Sequence, residues 1–173
     1  SEAARLMPFP TTSVLDSFTR ADEGPPPSTN WTTAILSGDG GLKVVTNEVA
    51  GNTTGFNTSY WNVSTFGPDS EVFCTIRAKA TVDAEDTAEL YARIANPGSA
   101  GATDGYVLIA IERTVLTDVL QVYRIDNDVL TALGTGIGQE QTAGDGVGLE
   151  IIGSPLTMYF NDNGAGWSSV VTR

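Results

Sequence analysis

Between Ser70 and Ala80 apolar and polar positions alternate without a break, with Val72, Cys74, Ile76 and Ala78 on one side and Glu71, Phe73, Thr75, Arg77 and Lys79 on the other. Successive side chains of an extended chain point to opposite faces, so this period of two predicts a strand with one buried face. The pattern returns at Ala88–Ala95, where Leu90, Ala92 and Ile94 oppose Glu89, Tyr91 and Arg93. Shorter runs predict strands at Val14–Phe18, Leu42–Val45 with a continuation to Val49, Tyr106–Ile111, Val119–Ile125, Val129–Leu133, Val147–Ile152, Leu156–Phe160 and Ser168–Val171. Turn residues separate them at Thr46-Asn47, Asp126-Asn127-Asp128, Gly153-Ser-Pro155 and Asp162-Asn-Gly164; Asn and Asp tolerate left-handed backbone and bond their own main chain.

About eleven or twelve short strands, with almost no segment of helical period, predict an all-β fold: a two-sheet antiparallel β-sandwich of the jelly-roll kind. No fixed repeat is visible, which argues against a propeller or solenoid. Residues 1–13 form a separate element. Pro8 and Pro10 fix φ and remove ladder donors there, so an extended N-terminal arm is expected, followed by one sandwich domain over 14–173. Pro25, Pro26 and Pro27 predict a rigid loop before Trp31.

Charge narrows the partners. The 173 residues carry 21 Asp and Glu against 9 Lys and Arg, a net charge of -12, which repels phosphate backbones and anionic membrane surfaces. No apolar run approaches the ~20 residues a bilayer crossing needs. One cysteine, Cys74, permits no internal disulfide and reads as a small buried hydrophobe. The absence of histidine excludes Ser-His-Asp and Cys-His sites and the ordinary zinc sets. The Gly134–Gly138 stretch opens no helix and reads as a hairpin connection, not a phosphate loop.

Sugar recognition on β-sandwiches uses aromatic faces flanked by hydrogen-bonding side chains. Trp61, Asn62, Glu89, Tyr91, Arg93 and Tyr106 make such a set if their strands are adjacent, with Trp61, Tyr91, Arg93 and Tyr106 on the exposed face. Trp31, Trp61 and Tyr106 also fit a core or sheet-covering role.

A family pattern runs through the same residues: Asp16-Ser-Phe-Thr-Arg20 with Asp22, Asn30-Trp31, Gly41-Leu42, Tyr60-Trp61-Asn62, Phe66-Gly67-Pro68-Asp69 with Glu71-Val72, Asp104-Gly105-Tyr106, and Tyr123-Arg-Ile125. From about Val14 to Val171 the chain resembles the concanavalin A-like, laminin G-like jelly-roll modules of secreted bacterial proteins and of phage tail or other virion proteins. The resemblance implies an extracellular or virion location. It also implies a non-catalytic module that contacts glycans or neighbouring subunits. The alternative is a purely structural decoration or filament subunit assembling through its N-terminal arm and an open sheet edge. No cofactor is required on this reading, although rim carboxylates of such modules hold Ca²⁺, and Asp126, Asp128 and Asp162 are the candidates. Glycosidases on related folds need two carboxylates on one strand face, and the order of Asp83, Glu85, Asp86 and Glu89 does not match their pattern. Modules of this family usually run on past the position of Arg173, with a last strand beside the first near Asp16–Phe18, so the resemblance implies either that the sequence is a fragment or that another segment, such as a neighbour's N-terminal arm, closes an open edge there.

Overall fold

The structure, a computed structural model, describes residues 8–78 and 86–173. Its strands are β1 (Trp31–Thr33), β2 (Leu42–Val45), β3 (Glu48–Gly51), β4 (Ser59–Trp61), β5 (Ser70–Thr75), β6 (Asp86–Ala95) and β7 (Asp104–Glu112). They continue as β8 (Val119–Asp126), β9 (Val129–Ala132), β10 (Ile137–Gly138), β11 (Gly146–Ile151), β12 (Leu156–Asn161) and β13 (Trp167–Thr172). There is no helix among the described residues.

The protein is a two-sheet antiparallel β-sandwich. One sheet has the order β10-β8-β7-β6, with β9 also on β8, and the other is β13-β12-β11-β5. The alternation of the sequence builds the layer between them. Leu90, Ala92, Leu108, Ala110, Leu120 and Val122 come from the first sheet and meet Val147, Leu149, Ile151, Leu156, Met158 and Phe160 of the second, with Ile76 beside them. Seven of these twelve strand residues are fully shielded (0%): Leu108, Ala110, Leu120, Val122, Val147, Leu149 and Ile151. Burying each such aliphatic side chain contributes about 1.5–3 kcal/mol, so this layer dominates the fold's stability. Cys74 also points inward against this layer, and burial, with the Glu112 charge second, pushes its thiol up to about 12, as an inert core residue requires.

Two small ribbons, β1 with β4 and β2 with β3, complete the chain. The β2–β3 turn has positive φ at Thr46 (55°) and Asn47 (63°), and the β8–β9 turn has it at Asn127 (51°) and Asp128 (66°), as two-residue hairpins demand. The segment around Ile35 is tied to the β6–β7 connection: the Ile35 carbonyl accepts from Thr103 Oγ1 and from the Gly98 N–H.

Two expectations are corrected. Val14–Phe18 is not a strand, because the Asp16 carboxylate takes the Phe18 N–H (2.8 Å) and Phe18 has φ of 55°, which turns the chain out of an extended path. The described part of the arm is not a strand at a sheet edge either. Pro8–Thr12 crosses the outer face of its own four-stranded sheet, as described next. Residues 1–7 of the expected arm, Lys79 and Ala80 of the expected strand, and the carboxylates Asp83 and Glu85 lie outside the described residues.

Candidate binding groove on the four-stranded sheet

Register places three cross-strand rows on the outer face of this sheet. The central row is Phe73, Gly148 and Tyr159, and two residues away in either direction along β11 lie two others: Glu71, Glu150 and Thr157, then Thr75, Gly146 and Asn161 with Trp167. A glycine between two aromatic residues leaves a hollow with aromatic walls. Trp167 leans over its rim, close to where side chains at Gly146 and Gly148 would stand.

Phe9 fills the hollow and is only 6% exposed. Its ring stacks on Tyr159 with centroids 4.0 Å apart and planes 3° from parallel, and meets the edges of Trp167 (5.0 Å) and Phe73 (6.1 Å). Such ring pairs contribute about 0.5–1.5 kcal/mol each beyond their buried area. A Cβ on Gly148 would collide with the Phe9 ring, so the floor must be glycine for a ring to sit there.

Polar contacts hold the next residues of the arm. Glu71 accepts the Thr11 N–H (2.8 Å), the Thr12 N–H (2.5 Å) and both threonine hydroxyls. Partial burial opposes its charge, but the Thr12 hydroxyl and the two N–H groups outweigh it and hold the carboxyl below its ordinary range. Glu150, directly opposite Glu71 on β11, accepts from Tyr159 Oη at 3.1 Å. Burial, and then this bond, raise the Tyr159 phenol. Like charges directly across a strand pair are unfavourable by roughly 0.2–1 kcal/mol. The arm's donors offset that cost only while the arm is seated.

The set chosen from the sequence is not brought together. Tyr106 pairs with Ala92 and packs on the inner layer, whereas Tyr91 pairs with Val107 and faces outward, so one residue of register puts the two tyrosines on opposite faces. Tyr91 is half-buried, not exposed. Its hydroxyl donates to Glu89 (2.5 Å), whose carboxyl is raised by burial and by the Asp39 charge, while Tyr91 and Thr87 pull it down. Arg93 sits in a bulge at φ 52° and ties the sandwich end together: its guanidinium donates to the Pro68 and Ile151 (3.4 Å) carbonyls and pairs with Asp69 (3.6 Å).

Trp61 belongs to a second aromatic cluster. Its ring is edge-on to Trp31 (5.5 Å), which leans on Phe18 (5.7 Å). Trp31 Nε1 donates to Asp16 (3.0 Å), and Arg20 donates to the same carboxylate (2.6 and 3.1 Å), to the Pro27 carbonyl and to Glu23. Asn62 Nδ2 donates to the Thr29 carbonyl and Thr32 Oγ1. The motif residues Asp16, Phe18, Arg20, Trp31 and Trp61 thus form one structural knot.

The carboxylates considered for Ca²⁺ are also separated. Asp128 is occupied by the Gly101 (2.5 Å) and Thr103 (3.1 Å) N–H groups, its pKa is lowered by the Thr103 side chain and then by these N–H groups, and Asp126 contacts Arg124 and Asn127. Asp162 follows β12 at the Gly146 end of β11, while Asp126 and Asp128 lie at the end where Arg93 meets Ile151. Among the described residues no cluster of His, Cys, Asp or Glu could hold a metal ion.

Sequence reasoning missed the groove. The signals were there: Phe73 on the polar face of β5, and Gly148 and Tyr159 in the outward register of strands whose inward residues are apolar. Comparison with protein-family models, with curated proteins and with solved structures finds no match.

Proposed function

We propose that this chain is a non-catalytic β-sandwich module of an extracellular or virion assembly that docks an extended polypeptide segment on the outer face of its four-stranded sheet. One observation carries the reading: Pro8–Thr12 is seated there by a ring in an aromatic hollow and by two backbone N–H groups on one carboxylate. Main-chain bonds supply affinity and the pocket supplies selectivity, as in other modes of peptide recognition. The test uses the full chain carrying Phe9→Ala, titrated calorimetrically with a synthetic peptide of residues 7–13. Saturable binding, abolished when the peptide's own phenylalanine becomes alanine, is expected. No binding to the variant would overturn the reading.

Glycan binding is the second reading. A flat ring stacked on Tyr159 with Glu71 and Glu150 alongside is also how a pyranose, with its apolar face and hydroxyl rim, would be held. A glycan array probed with the same variant separates the two: capture of a saccharide, with no peptide binding, favours this second reading.

A further inference from the structure

We infer that the arm is exchangeable, and that the groove of one copy accepts the Pro8–Thr12 segment of a second copy, face to face. The inference rests on the docking reading above and adds the identity of the partner. It starts from how the arm joins the body. Pro8–Thr12 is fixed in the groove, and Asp16 onward is fixed by the Arg20 and Trp31 contacts. Between them Ser13, Val14 and Leu15 are exposed and, among the described residues, make no hydrogen bond. A short strap without bonds between two anchored pieces is a hinge, and exchange through a hinge keeps every contact of the closed form, so its cost in contacts is small.

The second observation is what the strap exposes. Val14 is 63% and Leu15 49% accessible, an apolar pair beside the groove that nothing among the described residues covers. A neighbour docked on the same face would cover it. The strap also limits the geometry. Three extended residues span about 10 Å, so an arm leaving its own groove reaches only a copy lying against the same face. Reciprocal exchange with two-fold symmetry satisfies both arms at once and closes the assembly. The charge of -12 on each copy opposes approach, and screening with a Debye length of about 8 Å at physiological salt limits that opposition.

The experiment mixes two full-length variants that are each incompetent alone. Phe9→Ala leaves a vacant groove and an arm without its ring. Gly148→Ala places a Cβ against the Phe9 ring and evicts an intact arm from a closed groove. Each is expected to be monomeric by light scattering, near 18.1 kDa, and the equimolar mixture to rise toward twice that mass. Circular dichroism establishes that both are folded. Persistent Thr11 and Thr12 amide protection would show that alanine is tolerated, in which case Gly148→Leu serves in its place. A mixture that stays monomeric overturns the exchange. If the Phe9→Ala chain nevertheless binds the peptide of residues 7–13, docking stands and only the second copy as partner falls; if it binds neither, both fall.

Discussion

Two aromatic clusters each take in a residue from the first twenty of the chain, Phe9 in one and Phe18 in the other, and they are built on opposite logic. In the knot of Phe18, Trp31 and Trp61, the Asp16 carboxylate is tied to Arg20 and to an indole N–H, and the guanidinium is satisfied in turn by Glu23 and the Pro27 carbonyl. Burial works against the Asp16 charge, but Arg20, the Phe18 N–H and Trp31 prevail and lower its pKa. In the groove, Glu71 has no cation among the described residues. Its partners are the hydroxyls and N–H groups of a removable arm, and another carboxylate stands across from it. A cluster whose polar groups satisfy one another closes a fold; one whose polar groups are satisfied by a detachable segment marks a place where something docks.

The sharpest way to break that contrast is to cut one aromatic from each cluster. Trp31→Ala is expected to destabilise the whole domain by about 3 kcal/mol in urea denaturation, since it removes packing and strips Asp16 of a donor. Phe9→Ala is expected to cost less, about 1–2 kcal/mol, because the arm can leave and the sandwich stays folded; the ring contacts it loses set the scale. Hydrogen exchange reads the difference directly: Thr11 and Thr12 amides lose protection in the second variant while β11 and β12 amides keep theirs. Equal global losses would erase the distinction.

Acid provides a finer test. Glu71 has a folded pKa below its ordinary value of 4.5, so its contribution is complete above that value and is lost as pH falls through the lower folded one. The arm is therefore expected to loosen on acidification, visible as deprotection of Thr11 and Thr12, and Glu71→Gln is expected to flatten that response. The smallest effect is expected from Arg20→Lys. It keeps the charge but loses the forked contact to Asp16, for about 1 kcal/mol by denaturant titration, with the groove unaffected.

The fold was largely legible because its core strands alternate with the period a half-buried sheet imposes; Val72, Leu90, Leu108 and Leu149 point inward as their neighbours in sequence require. What misled was the assignment of faces between strands. Tyr91 and Tyr106 both sit on alternating strands, but only the pairing Ala92 with Tyr106 reveals that they face oppositely, and pairing register is a tertiary fact. Val14–Phe18 reads as a strand in sequence, and the bond that the Phe18 N–H donates to the Asp16 carboxylate overrode it. The groove went unread because Phe9, Phe73 and the pair Gly148 and Tyr159 lie far apart in sequence and acquire meaning only when β5, β11 and β12 lie side by side.

Gly148 gives the groove a genetic character. Every glycine codon becomes an alanine codon by one base change, and here that change would close the hollow while leaving the inner layer of the sandwich untouched. A lineage in which arm docking is useful should therefore purge variation at this codon more stringently than at the buried aliphatic positions beside it, where conservative exchanges are tolerated. Where docking has lost its use, the same codon should be among the first to drift.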